Sequence, residues 1–281
     1  MWAVLRRDWR SIAVRTWREI GDDNVSLLAA GVAFYSFLAF VPMLAAVVLI
    51  YGLVADPAEA SKHAQVLLGI LPTDAAQIVG DQLTKVSETP TGKTAFGLAL
   101  AIVLALYGAM RAATSIIGAL NAAYDRHETR GFFKTTLISF TFTAGTAIVG
   151  VIAILAIGAM SLIGTLIWLP PGSAALAVGL PWIAVAVIAM LLIGCVYRYG
   201  PDRPAVPWRW LLPGIVVAGV GALSATFLFG VYVSQFGGYN ATYGALGTVV
   251  SFLMWLYLSA FLVLVGAELN SEIEQCCAGE P

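Results

Sequence analysis

The chain alternates between long apolar segments and shorter polar connections. Six of the apolar segments are long enough to cross a membrane, since a helix needs about 20 apolar residues to span the hydrocarbon layer. The 60% hydrophobic and 11% charged composition suits such a chain. We therefore predict an all-α fold, a polytopic membrane protein that forms one integral-membrane domain over residues 1–281. The six transmembrane helices are predicted at about residues 28–54, 95–121, 137–168, 174–197, 211–235 and 244–267.

The segment before the first predicted span, residues 1–20, has a helical pattern of its own. Trp2, Trp9 and Ile12 fall near one face, and most of the arginines of this segment lie elsewhere. This pattern is typical of an amphipathic helix that lies in the membrane interface. The alternative is a cytoplasmic helix that packs on the inner end of the bundle.

The connection 55–94 is the only long one between the predicted spans. Its apolar positions recur at helical spacing before and after Pro72, which resembles a new helix start. We therefore predict that this connection forms two short helices outside the membrane. Such a helical pair would cover the external end of the bundle.

Lysine and arginine residues concentrate on one side of the six-span pattern. Only three of the 15, Lys62, Lys85 and Lys93, fall in the long connection 55–94. The others precede the first span, lie at or after the end of the second, or bracket the connection after the fourth. Because positively charged connections stay in the cytoplasm, both termini are predicted to be cytoplasmic and the connection 55–94 external.

The overall charge limits the class of partner. A formal net charge of −1 argues against general nucleic-acid binding, because domains that bind nucleic acid are usually strongly basic. The basic residues instead gather at the predicted cytoplasmic surface, where anionic lipid headgroups are their natural partners. We expect membrane lipids as partners and no nucleic acid, and the sequence leaves the oligomeric state open.

The second predicted span carries a polar stripe. Tyr107, Arg111, Thr114 and Asn121 recur at helical spacing and so share one face of the helix. An arginine inside a span costs a few kcal/mol and normally faces the interior of the protein or a wet cavity. The alternative is that Arg111 lies near enough to the cytoplasmic edge for its side chain to reach the interface.

Two further polar residues are predicted to belong to the same region. Glu268 ends the sixth span at a depth similar to that of Arg111, so the two charges form either a pair or two walls of one polar vestibule. We predict a cavity open to the cytoplasm or the inner leaflet, in which Arg111 attracts a phosphate or carboxylate headgroup. Its predicted lining is Tyr35, Tyr107, Arg111, Thr114 and Asn121, with Glu268 nearby.

The sequence shows no arrangement of residues that is typical of an enzyme active site. The only histidines, His63 and His127, fall on opposite sides of the predicted membrane. No cysteine and histidine cluster has the spacing of a metal site, and no two acidic residues stand close together within a predicted span. The sequence therefore predicts neither an enzyme nor a metal or cofactor.

Four groups of motifs follow one another along nearly the whole chain. They are residues 23–36 with Phe40-Val41-Pro42, Arg111 with 119–124, the connection 199–210, and 243–247 with 255–257 and 266–270. In this order they resemble the YihY/BrkB family of bacterial inner-membrane proteins. The resemblance implies six helices in the bacterial cytoplasmic membrane, in accord with the pattern above.

The resemblance also implies a choice of function. Members of the family have been called ribonuclease BN, a label regarded as a misassignment, or linked to serum resistance or the export of envelope lipids and solutes. We expect a transporter-like protein that moves an anionic amphiphile or an envelope lipid, and we regard ribonuclease activity as poorly supported. The alternative is a structural, scaffolding protein of the envelope without transport, which would have a dry bundle in place of a polar path.

Overall fold

The computed structural model describes residues 2–54, 91–145, 174–235 and 245–278. Within these ranges the chain forms helices joined by turns and short connections, without a strand. The all-α prediction is confirmed for this part of the chain. The helices are α1 (Trp2–Asp22), α2 (Val25–Val54), α3 (Thr91–Ala123), α4 (132–145), α5 (Ala174–Tyr199), α6 (Trp208–Gln235) and α7 (Ala245–Ala278).

Three helical segments are long and apolar enough to cross a bilayer, namely Phe96–Ala123, Trp208–Tyr232 and Val249–Cys277. A fourth candidate is the bent pair Asp8–Asp22 and Val25–Phe40, whose axes differ by 61°. The described residues therefore contain three or four candidate spans. They confirm a membrane protein with several apolar helices, but they do not confirm the predicted number of six spans. Residues 55–90 and 146–173 lie outside the described part of the chain. Most of the predicted external helical pair and much of the predicted third span fall within these residues.

The structure divides into two compact units. The smaller unit is Tyr35–Arg111, and the larger one comprises Met1–Phe34 and Ala112–Pro281. In the smaller unit, α2 and α3 approach closely, because a β-carbon on Gly108 would lie 2.7 Å from the Cα atom of Ala39. In the larger unit, α7 packs against both α6 and α1, and α5 packs against α6.

The bend between α1 and α2 is made at Asn24. This residue has a φ of 51°, in the left-handed region that asparagine tolerates better than most residues. Its carbonyl then accepts hydrogen bonds from the amides of Leu27 and Leu28, at 2.8 and 3.1 Å, and so opens α2. The turn brings Asp23 to the corner between the two helices.

Helix α1 packs against α7. Ile12 and Thr16 are buried, whereas Trp9, predicted to share a face with Ile12, is 58% exposed and Trp17 is 79% exposed. The exposed tryptophans are the residues that would meet a membrane interface. A position of α1 in that interface stays a prediction.

Helices α6 and α7 are held together by two glycines and an asparagine. A β-carbon on Gly214 would lie 2.1 Å from the carbonyl oxygen of Gly266, so the absent side chains allow the two backbones to touch. Beside this contact, Asn270 accepts a hydrogen bond from the Gly214 amide at 2.8 Å and donates one to the Leu211 carbonyl at 3.2 Å. Pro213 interrupts the backbone ladder of α6 at this point, and the buried Asn270 side chain satisfies neighbouring backbone groups.

Candidate functional site

Arg111 lies within the candidate span Phe96–Ala123, about 18 Å along the helix axis from the Ala123 end. The helix continues for twelve residues beyond Arg111, so this arginine is near the middle of this helical segment. Its side chain is exposed, and its Nε atom donates a hydrogen bond to the Tyr107 hydroxyl at 3.2 Å. The guanidinium carbon is also 5.3 Å from the centre of the Tyr107 ring, which adds a cation–π contact.

The other members of the predicted lining differ in their surroundings. Tyr107 is 52% exposed and presents its hydroxyl to Arg111, while Tyr35 is half-buried. Thr114 is exposed, and its hydroxyl lies 3.4 Å from that of the buried Ser139 on α4. Tyr35, Tyr107 and Arg111 belong to the smaller unit and Thr114, Asn121 and Glu268 to the larger one, so a cavity formed by all six stays a prediction.

Asn121 has a clear structural role that the polar stripe did not indicate. Its side chain is 4% exposed, donates from Nδ2 to the Glu128 carboxylate at 2.8 Å, and accepts the Asp202 amide at 2.7 Å. These two bonds join the connection after α3 to the connection after α5. Asn121 therefore holds the connection after α3 (124–131) and the connection after α5 (200–207) together. We call the end of the larger unit at which these two connections lie the polar end.

Arg130 strengthens the same junction. It binds both carboxylate oxygens of Glu128, at 2.6 and 2.7 Å, and donates to the carbonyl of Gly200 at 2.7 Å. Its side chain is only 7% exposed, whereas that of Glu128 is 31% exposed, so the pair is shielded from water on the arginine side only. Thr129 completes the link by donating from both its amide and its hydroxyl to the Asp202 carboxylate, at 2.7 and 2.5 Å.

These contacts change the acidity of both carboxyl groups. The hydrogen bonds from Arg130 and then from Asn121 hold the pKa of Glu128 below its ordinary value, against an opposing effect of burial. Hydrogen bonds from Thr129 likewise hold the pKa of Asp202 below its ordinary value. Both groups therefore stay ionised at neutral pH and keep the junction intact.

A polar cleft of about 440 Å³ opens beside this junction. Within it, Arg203 pairs with Glu274 of α7, and its guanidinium carbon lies 3.7 Å from the centre of the Tyr124 ring. Gln275 donates to Asp125 at 3.1 Å on the same side. Both signs of charge line this cleft, and its size is within the usual range of small-molecule sites.

A second cluster at the polar end is entirely acidic. Glu268 is 1% exposed, and its carboxyl group lies within hydrogen-bonding reach of that of Asp23 at the α1–α2 corner. Glu19 and Asp125 also face Glu268. The structure thus gives Glu268 acidic neighbours within its own unit.

The larger unit also contains an apolar pocket of about 310 Å³ between α2 and α7. Ala30, Ala33 and Phe34 line one side, and Leu253, Met254 and Tyr257 line the other. Almost all of this lining is hydrocarbon or aromatic, so it suits an apolar chain. Among the residues that the structure describes, no group of three histidine, cysteine, aspartate or glutamate side chains has the geometry to hold a metal ion.

Sequence reasoning did not find the junction around Arg130 or the pairing of Asp23 with Glu268. Glu128, Thr129 and Arg130 occur between two helices without a spacing that distinguishes them from a solvated connection. The local signal that was available is the end of α3: Asp125 has a φ of 49°, and Arg126 donates to the Asn121 carbonyl at 2.7 Å. This is a Schellman ending with aspartate in the position that glycine usually occupies, and it directs the following residues back across the helix end.

These observations define an α-helical integral-membrane protein with a polar, charge-paired end. The sequence matches the family model described as virulence factor BrkB over residues 16–281. The chain belongs to this family.

Individual relatives agree with this assignment. A ribonuclease-like protein, YfkH of Bacillus subtilis, is 30% identical over 179 residues, which cover 62% of this chain and 64% of that protein. A UPF0761 membrane protein of Nitrosospira multiformis is 27% identical over 89% of this chain and 58% of its own length. A UPF0761 membrane protein of Psychromonas ingrahamii is 24% identical over 92% of this chain and 86% of its own length.

The chain spans about three fifths of the length of the first two of these relatives. What a whole relative does is therefore not carried over to this chain. No solved structure matches the sequence.

Proposed function

We propose that this protein is a transporter-like membrane protein that accepts an anionic amphiphile, with Arg111 as the residue that binds the acidic headgroup. The observation that carries the proposal is the position of Arg111, exposed and within a helical segment that is apolar enough to span the membrane. A charged side chain at the centre of the membrane costs about 2.5–3.5 kcal/mol if it faces lipid. A phosphate or carboxylate that approaches the guanidinium would offset this cost through charge-assisted hydrogen bonds.

The contact with Tyr107 supports this role. The hydrogen bond occupies the Nε atom, so the two terminal nitrogens still point away from this bond and can bind two oxygens of one headgroup. The tyrosine ring at 5.3 Å restricts the rotation of the guanidinium. Tyr107 therefore orients Arg111 before the ligand arrives, which reduces the entropy lost on binding.

The apolar residues exposed on α3 support the amphiphile part of the proposal. Val103 and Leu104, on the same helix and in the same unit as Arg111, are 62% and 47% exposed. A headgroup bound to Arg111 would therefore lie beside a surface that suits a hydrocarbon chain. For this reason we propose a lipid-like substrate and not a small inorganic anion.

The test is the movement of a labelled anionic phospholipid across liposomes that contain the purified protein. We expect the wild type to accelerate it, and Arg111→Ala to lower the rate about tenfold or more, since a hydrogen bond to a charged group contributes about 1.5–3 kcal/mol. Arg111→Lys should retain part of the rate, because it keeps the charge and loses the two-point geometry.

Arg10→Ala is the matched control. Arg10 is also exposed and lies over an aromatic ring, that of Trp9, at 5.5 Å. We expect this variant to behave like the wild type. Equal rates for Arg111→Ala and Arg10→Ala would contradict the role of Arg111.

A structural role in the envelope without transport is the second candidate. It is favoured by the close contact of α6 and α7 at Gly214 and Gly266, which is typical of tightly packed membrane helices. Wild-type protein that moves no lipid above the rate of protein-free liposomes would support it. We propose no ribonuclease activity, and incubation of the purified protein with RNA, with no cleavage expected, tests this point.

A further inference from the structure

The α1–α2 corner brings a partly buried carboxyl group, that of Asp23, next to a buried one, that of Glu268 on α7. The two groups face each other within hydrogen-bonding reach. Because two ionised carboxylates have only acceptor atoms, a hydrogen bond between them requires a proton on one of the two. Glu268 is 1% exposed, so water has little access to its side of the pair.

The titratable groups that face the pair are acidic side chains and Tyr124, which follows α3. Glu19 of α1 and Asp125 after α3 face Glu268, and Asp22 and Asp125 face Asp23. Two cations of α1 act on other carboxyl groups: Arg18 faces Glu19, and Arg15 faces Glu272. If both carboxyl groups of the pair were ionised, each would be repelled by the other and by the surrounding acidic side chains.

A second observation points to a bound ligand. The Oε1 atom of Glu268 is buried without a hydrogen-bond partner among the described residues. A buried carboxylate oxygen that lacks a partner is costly when ionised, and protonation removes most of this cost. The described carboxyl groups do not form a metal-holding cluster, so a proton is the cation that suits them.

We propose that Asp23 and Glu268 form a proton-binding site, in which the two carboxyl groups share one proton at neutral pH. The shared proton joins the α1–α2 corner to α7. Release of this proton to the solvent would leave two adjacent negative charges, one of them buried, which repel each other and push the corner away from α7. The contact between these elements is therefore controlled by protonation, independently of whether the protein moves a lipid.

Infrared spectroscopy of the full-length protein in lipid nanodiscs tests this proposal, because a protonated carboxyl group has its own carbonyl stretching band. At neutral pH the wild type should show such a band, and exchange into heavy water should shift it. The band should disappear in both Glu268→Gln and Asp23→Asn. It should persist in Asp22→Asn, the control at the exposed neighbouring carboxyl.

Three outcomes would overturn the proposal. They are absence of the band in the wild type, its persistence in Glu268→Gln, and its persistence in Asp23→Asn, which would mean a proton held by Glu268 alone. The wild-type spectrum needs no substitution, so the proposal stays testable if a variant fails to fold.

Thermal unfolding against pH gives a second measurement. Raising the pH should lower the Tm of the wild type, because the folded protein must lose the shared proton. The Tm of Glu268→Gln should change less over the same range, since glutamine keeps the size and hydrogen bonding of the protonated acid. Parallel curves for the two proteins would count against the shared proton.

Discussion

At the scale of single residues, the same polar side chain can either bind a ligand or hold the protein together, and burial separates the two roles. Asn121 is buried and uses its amide to join Glu128 to the Asp202 backbone. Arg111, ten residues earlier on the same helix, is exposed and contacts Tyr107. Both were predicted to line one cavity because they share a helical face. Their contacts give Asn121 a structural role, and the binding role that we propose falls on Arg111.

Glu128 allows a prediction at the same scale. Its pKa is lower in the folded protein than its ordinary value of 4.5, mainly because of the Arg130 hydrogen bonds. Folded protein then binds fewer protons than unfolded protein, so this stabilisation is present above the ordinary pKa and is lost as the pH falls through the lowered one. We expect the free energy of unfolding in detergent to decrease as the pH is lowered through the carboxyl range, and less steeply in Glu128→Gln.

Asp22→Asn is the control for this measurement, because Asp22 is exposed and outside the junction. Its acid-dependent decrease should match that of the wild type. If the curves of the wild type and Glu128→Gln were parallel, the Glu128–Arg130 pair would not stabilise the junction.

At the scale of helices, packing in the larger unit depends on where small residues meet. The α6–α7 contact combines the two glycines with the Asn270 bonds to the backbone near Pro213. Tyr197 of α5, which is fully buried, donates to the Val263 carbonyl of α7. Three helices are thereby joined without a charged residue at the contact.

A pair of glycine substitutions tests this account of the packing. Gly214→Ala would place a β-carbon 2.1 Å from the Gly266 carbonyl oxygen, so the helices must separate, at a cost of about 1–3 kcal/mol. Gly118→Ala on α3 meets nothing within 4 Å, and we expect its stability to lie within about 1 kcal/mol of the wild type. Unfolding in detergent measures both, and equal stability of the two variants would contradict the close contact.

At the scale of the whole molecule, the family assignment and the apolar helices establish a membrane protein, and the charge distribution predicts how it is oriented. Residues 10 and 128 are exposed in the structure and are predicted to be cytoplasmic, whereas position 80 is predicted to be external. The polar end, with its arginines and its carboxyl groups, would then face the cytoplasm and the anionic inner leaflet. The proposed proton site would sense the cytoplasmic pH.

Cysteine labelling in intact cells tests this orientation. In a background without Cys195, Cys276 and Cys277, a cysteine at position 80 should react with a membrane-impermeant reagent. Cysteines at positions 10 and 128 should react only after the membrane is opened. Labelling of position 128 from outside, with position 80 protected, would reverse the predicted topology.

The hydropathy and charge pattern was sufficient to predict the class of protein. Long apolar segments can satisfy their backbone groups in lipid only as helices or closed barrels, so helices at 95–121, 211–235 and 244–267 follow from local composition. The structure has α3, α6 and α7 over these ranges. The motif at residues 266–270 likewise indicated the family from the sequence alone. A family motif is defined by the order of its residues, so it can be recognised without knowledge of their contacts.

The tertiary structure decided which of those residues meet. Helical periodicity places Glu268 and Asn121 on faces of their own helices, but it does not say which helix lies opposite. Asp23 and Glu268 are 245 positions apart, and Asn121 and Asp202 are 81 apart, so their contacts depend on how the α1–α2 corner, the end of α3 and the connection after α5 pack together. For this reason the sequence alone determined an all-α membrane protein of this family. Only the packed structure assigned Asn121 to a structural junction and placed Glu268 against another carboxyl group.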